Sequence, residues 1–194
     1  RTVTGVQTCA LPIYLVDYYP VEAAQVALVE EYTTKMVDVT VDAVSRALAD
    51  LKPARLATGM GAATFAVNRR NNKEAEVAGI IARGESLKGP VDHAVPVLTA
   101  TRPDGSLAAV LFGYACHPTT LAWDNTLISP DYIGALREVV ERETGAPCLF
   151  LQGASGELGP VEGFVGDPAV ADCNGRQLAY AALSALTEIG RAHV

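Results

Sequence analysis

The sequence predicts an α/β domain, a mixed β-sheet with flanking helices. Three observations carry that prediction. An N-terminal stretch has helical apolar spacing. A Pro-Asp-Gly turn joins two strand-like runs mid-chain. An acid-capped helix separates the second of those runs from a later apolar one.

The two ends are set aside first. Residues 3–13 (VTGVQTCALPI) and 188–194 (EIGRAHV) back-translate into a common sequencing-library adapter and its reverse complement, so 1–13 and 188–194 read as adapter-derived artefact. On that expectation the protein segment is 14–187, a length suited to one domain or a large part of one. Cys9 and His193 then drop out. Cys116, Cys148 and Cys173 remain as cysteines, and His93 and His117 as histidines.

From 21 to 51 the apolar residues Val29, Tyr32, Met36, Val39, Ala43 and Ala47 recur every three or four positions. Glu30, Glu31, Lys35, Asp38, Asp42 and Arg46 fall mostly on the other side, which predicts a helix stopped by Pro53. Small residues and Gly over 54–67 suggest a strand or hairpin ending at Asn68-Arg69-Arg70. The polar run 71–89 has no sustained period and reads as a surface excursion. Runs 95–101 and 107–116 flank Arg102-Pro103-Asp104-Gly105-Ser106, whose residues suit a tight turn, so a hairpin is expected. Asp131 can cap a helix through Thr144, with Ile133, Leu136, Val139 and Val140 as its apolar face and Gly145 as its stop. A buried strand is expected over 147–151, followed by a Gly-rich loop over 152–160. Asp167 as cap and Pro168 at the first helical position open a last helix to about Leu186.

Composition narrows the function classes. The chain has 15 basic and 22 acidic residues and a net charge of −7, with no basic run, so a nucleic-acid partner is not expected. Its 49% hydrophobic content supports a packed core. No apolar run approaches the roughly 20 residues of a membrane helix, so no transmembrane segment is expected. Three cysteines without a CxxC pair form no closed disulfide framework and no cysteine-based metal signature.

Two strand ends deliver chemistry-bearing residues to loops: Cys116-His117-Pro118 after the hairpin, and the 152–160 segment after the later strand. Neutral imidazole is a common zinc ligand, and the following Pro restricts the backbone at His117; a histidine that only hydrogen-bonds in a loop is the alternative. His93, before a strand in a polar turn, reads as a solvated side chain, and Cys116 as a small buried hydrophobe. Ser155 in Gly153-Ala154-Ser155-Gly156-Glu157 approaches a nucleophile elbow, but Glu157 stands where that motif needs Gly. The segment therefore reads as a Gly-rich wall with Ser155 bonded to backbone.

Several ordered motifs, 51–56 (LKPARL), 65–70 (FAVNRR), 89–92 (GPVD) leading to 95–98 (VPVL), and above all 112–119 (FGYACHPT), resemble the neutral/alkaline, non-lysosomal ceramidase family, in particular its bacterial ceramidase-like members. The resemblance spans nearly all of 14–187 and implies a partial N-terminal catalytic domain; with the adapter-derived ends, the chain reads as a metagenomic fragment. The resemblance implies zinc as cofactor and His117, the histidine of His-Pro-Thr, as a metal ligand. A further histidine would lie before the chain, and Glu and Tyr ligands beyond it. The Asn-Arg motif implies Arg69 as a catalytic residue stabilising charge. Asn68, Gly153, Gly156 and Glu157 are the implied substrate-binding positions. The implied function is hydrolysis of an amide bond by zinc-activated water, with a small-molecule or lipid amide such as an N-acyl sphingoid as substrate, in an extracytoplasmic or secreted setting. The family's Gly-Asp-Val-Ser-Pro-Asn motif aligns with 156–161 (GELGPV), so Gly159 replaces its serine. Glycine supplies neither nucleophile nor hydroxyl donor. That departure keeps open two alternatives: a metal-dependent hydrolase of another amide or ester, and a non-catalytic binding domain.

Overall fold

The computed structural model describes residues 22–69 and 89–191. The expected surface excursion at 71–89 lies outside these except for Gly89, as do 1–21 and 192–194. The chain divides into two compact units, 1–53 and 54–194.

The first unit contributes helix α1, Ala23–Ala49. Its start is tied by the Glu22 amide donating to Gln25 Oε1 at 3.4 Å, and it ends at Asp50, ahead of Pro53. Of the expected apolar face, Val29 and Met36 are partly shielded, while Tyr32 and Val39 are exposed. Thr33, Thr34, Thr40 and Ser45 turn their hydroxyls back onto carbonyls four residues earlier, which satisfies them without leaving the helix.

The second unit is the expected mixed sheet. Strands β1 (Arg55–Ala62), β3 (Ala94–Thr101), β4 (Leu107–Tyr114) and β5 (Cys148–Gln152) lie in the order β1-β3-β4-β5. The first two pairings are antiparallel and β4–β5 is parallel. Strands β2 (Ala66–Asn68) and β6 (Leu158–Pro160) form a separate antiparallel pair. The β3–β4 hairpin closes as expected: Arg102 N–H donates to Ser106 O, Asp104 accepts from the Ser106 amide and hydroxyl, and Gly105 takes φ +86°. The Ser106 hydroxyl holds the Asp104 carboxyl below its ordinary pKa.

Of the strand or hairpin expected over 54–67, the strand reading holds: β1 pairs with β3 and β2 with β6, because the chain leaves the large sheet after Ala62. One expectation is corrected. The strand expected to be buried over 147–151 lies at one edge of the sheet among the described residues, with Cys148 buried but Leu149 and Leu151 exposed. Apolar composition does not distinguish a two-sided strand from an edge whose outer face is open.

Helix α2 (Tyr132–Thr144) makes the β4-to-β5 connection, and helix α3 (Pro168–Arg191) packs on α2, β1 and β3. The α2 boundaries agree with expectation: Asp131 accepts from Tyr132 N–H, and Gly145 ends the helix at φ +65°. Asp167 caps α3 through the Ala169 amide. That helix runs past Leu186 to Arg191, with Ile189 adding apolar contact to the core. At the α2–α3 crossing a Cβ on Gly175 would strike the Tyr132 carbonyl oxygen, so the backbones meet through a glycine. The core joins Val95, Val97, Val110 and Phe112 of the sheet to Leu136, Val140, Leu178 and Ala182 of the helices. Among the described residues, no helix is long and apolar enough to cross a membrane.

Candidate functional site

Strands β4 and β5 run parallel, with Tyr114 opposite Gln152, so their C-terminal ends release Cys116-His117 and the Gly-rich loop side by side. Gly153 N–H donates to Tyr114 O at 3.0 Å, and a Cβ on Gly153 would lie 3.0 Å from the Ala115 Cα, so glycine permits this close approach. Below the loop, Tyr114 and Tyr132 flank Phe65 with ring centroids at 5.0 and 5.3 Å. The Tyr114 hydroxyl donates to Ala63 O and accepts from the Ala66 amide, which fixes the approach to β2. Burial raises the pKa of both tyrosines, so their hydroxyls remain hydrogen-bond donors.

The Glu157 carbonyl accepts from Arg69 N–H at 2.8 Å, and the next carbonyl, Leu158, accepts from His117 N–H at 2.9 Å. Two adjacent peptide groups at the start of β6 thus draw together the histidine and the arginine singled out from sequence.

The His117 ring lies with Nδ1 2.9 Å from the Ser155 carbonyl oxygen and 3.4 Å from Ser155 Oγ. A carbonyl can only accept, so Nδ1 carries a proton, and the tautomer that fits this bond has its lone pair on Nε2. Ser155 is itself held: its carbonyl accepts from Leu158 N–H, and its hydroxyl accepts from Gln152 Nε2 at 2.6 Å. Gln152 Nε2 also reaches Cys116 O at 2.9 Å, where the Tyr132 hydroxyl donates at 2.6 Å. The expected backbone-bonded Ser155 is instead a buried hinge between Gln152 and His117.

Arg69 crosses the face of Gly159, where an added Cβ would meet Arg69 Cδ at 2.7 Å and Nη1 at 3.1 Å. Its guanidinium carbon then sits 4.1 Å above the Phe164 ring centre. Trp123 stacks on Phe164, ring centroids 5.0 Å apart. Phe164 and Ala122 have φ of +61° and +48°, a strained conformation for non-glycine residues, and Phe164 N–H is anchored on Thr119 O. Sequence reading missed both aromatics; the one available signal was that Trp123, the chain's sole tryptophan, follows the His-Pro-Thr run closely.

The other sequence-derived positions divide. Gly153, Gly156 and Glu157 are on the exposed side of the loop, whereas Asn68 is buried and gives an amide hydrogen to Pro90 O. His93 is exposed before β3. Cys116 is fully buried and its thiol is pushed far up, first by burial and then by Asp131, against a smaller opposing pull from Arg69, so it suits packing rather than nucleophilic attack.

For a metal, the fit is that of one ligand. A ring with Nδ1–H on a backbone carbonyl and a free Nε2 lone pair is the arrangement of ligating histidines. Thr119 Oγ1 and Thr120 Oγ1 nearby in sequence are buried without hydrogen-bond partners among the described residues. No group of three or more His, Cys, Asp or Glu side chains able to hold a metal occurs among the described residues.

No family model matches the sequence, and no curated protein matches it. Solved structures do. Neutral ceramidase from Pseudomonas aeruginosa aligns at TM-score 0.62 with 25% identity, over 79% of this chain and 26% of that one. A ceramidase complexed with C2 aligns at TM-score 0.58 with 23% identity, over 75% and 24%. This chain therefore spans about a quarter of the length of these structures. The resemblance seen in 112–119 thus extends to the fold: over about three quarters of its length, this chain has the α/β arrangement of part of a neutral ceramidase.

Proposed function

We propose that this chain is part of a zinc-dependent hydrolase of the neutral ceramidase-like kind, cleaving an amide bond, with N-acyl sphingoid lipids as the first substrates to test. The observation that carries the reading is the His117 ring, whose Nδ1 is spent on the Ser155 carbonyl at 2.9 Å and whose Nε2 is left to a metal. Zinc, when bound, supplies Lewis acidity that activates water near neutral pH. A catalytic zinc normally takes three protein ligands, so in this reading the other donors come from outside the described residues. The residues of this chain then do three things. His117 holds its place through Ser155 and Gln152. Arg69 presents a fixed positive charge where negative charge develops on the acyl oxygen. The exposed Gly153, Gly156 and Glu157 line the substrate's path.

The likeness to neutral ceramidase supports the substrate class, and Gly159 favours a second reading, because the motif hydroxyl is missing. In that reading the fold persists as a metal-free binding domain. One experiment separates the two: zinc content and N-acylsphingosine hydrolysis of the protein that carries this chain, as wild type and His117→Ala. The hydrolase reading expects stoichiometric zinc and fatty-acid release in the wild type, both lost in the variant. Purification without zinc, with no hydrolysis, would overturn the zinc-hydrolase reading in favour of the binding domain.

A further inference from the structure

We propose that Phe164 is a positioning residue for Arg69, carrying the guanidinium on its ring so that the arginine occupies the space a side chain at position 159 would take. This deepens the hydrolase reading and rests on it for its functional half. Three observations converge. The Arg69 guanidinium carbon is 4.1 Å above the Phe164 ring centre, within cation–π range. The side chain reaches that ring only by crossing Gly159, where any Cβ would lie 2.7 Å from Arg69 Cδ. Phe164 is itself held at φ +61° with its amide on Thr119 O, two residues from His117, and its ring is stacked on Trp123 at 5.0 Å. Backbone strain at an aromatic that touches a charged side chain is costly unless surrounding contacts enforce it.

The serine-to-glycine change and the arginine's placement are then one feature. Where a side chain at 159 would stand, the Arg69 side chain passes, and its guanidinium is carried on an aromatic face. A serine at 159 would clash with the flexible middle of the Arg69 side chain and not with backbone. The fold therefore tolerates it, while the arginine leaves the ring.

The test has a structural arm and a kinetic arm. By NMR on this chain, the Arg69 δ-methylene and Nε–H resonances should lie upfield in the ring current of Phe164. Phe164→Tyr should preserve that shift. Phe164→Leu and Gly159→Ser should each abolish it, the serine variant keeping a cooperative thermal transition. In the protein that carries this chain, Phe164→Leu should lower kcat on the order of tenfold. KM and zinc content should stay within about twofold of wild type, and Phe164→Tyr should restore the rate. An unshifted Arg69 in the wild type, or a shift that survives Gly159→Ser, overturns the placement. Equal kinetic losses in Phe164→Leu and Phe164→Tyr overturn the positioning role. Absence of hydrolysis in the wild type sinks the hydrolase reading alone, because the NMR arm still decides where Arg69 lies.

Discussion

At position 117 the imidazole is committed before any ligand arrives. The Ser155 carbonyl accepts a hydrogen bond from Nδ1–H, and the hydroxyl of the same serine accepts from Gln152 Nε2. The placement of His117 at a strand end was legible from the apolar run that precedes it. Its tautomer was not, since that depends on a carbonyl 38 positions away in sequence. The same holds for Phe164, whose role follows from a left-handed backbone and not from its neighbours in the chain. Tyr132→Phe tests the hub beneath: it deletes the 2.6 Å bond to Cys116 O, leaving that carbonyl to Gln152 alone, and should cost about 1 to 2 kcal/mol in chemical denaturation. The cysteines give a pH prediction. Burial, with Glu141 adding to it, pushes the Cys148 thiol from 9.0 up to about 12, and burial drives Cys116 up as well. The folded state thus binds protons that the unfolded state has already released above pH 9, and stability should fall as pH rises from about 9 towards 12. Thermal melts across that range would check it. Alkylation mapped by mass spectrometry at pH 7 should modify exposed Cys173 and spare Cys116 and Cys148.

Among the elements, those with local chemistry at both ends were readable. The β3–β4 hairpin, α2 and the start of α3 stand where turn residues and caps placed them. Elements defined by their partners were not: the strand or hairpin read over 54–67 left open whether β1 and β2 pair, and they join different sheets, while the openness of β5 depends on what lies beside it. Asp131 shows both sides. As a cap it was expected, yet its second oxygen also accepts from the Leu121 amide at 3.0 Å, tying α2 to the loop that leaves His117. Asp131→Ala should therefore cost roughly 2 to 3 kcal/mol, more than the ~1 kcal/mol of an ordinary cap, because two backbone amides lose their acceptor. A loss confined to the ordinary value would show that the Leu121 bond contributes nothing. Gly175→Ala should be worse tolerated than its helical setting suggests, since the added methyl meets the Tyr132 carbonyl at the α2–α3 crossing.

For the molecule as a whole, the sheet's two faces are both apolar in sequence but differ in surroundings. Val110, Phe112 and Cys148 point under the helices and are buried, whereas Leu149 and Leu151 on the opposite side of the edge strand are more than half exposed. The parallel register that pairs Leu111 with Leu149 and Phe112 with Phe150 assigns each residue to its side, and a one-residue slip of β5 would exchange its two sides. That register also sets Tyr114 beside Gln152, on which the approach of His117 to Ser155 depends. Substitutions on the two faces should therefore separate sharply. Leu149→Lys places a charge in solvent and should change stability by no more than about 0.5 kcal/mol. Phe112→Ala opens a cavity between sheet and helices and should cost about 3 to 5 kcal/mol, a large share of the roughly 5 to 15 kcal/mol that holds a domain folded. Urea unfolding of the two variants beside the wild type measures both. A lysine at 149 as damaging as alanine at 112 would mean that β5 is covered on both sides or paired in another register, and the strand-end geometry that brings His117 to Ser155 would fall with it.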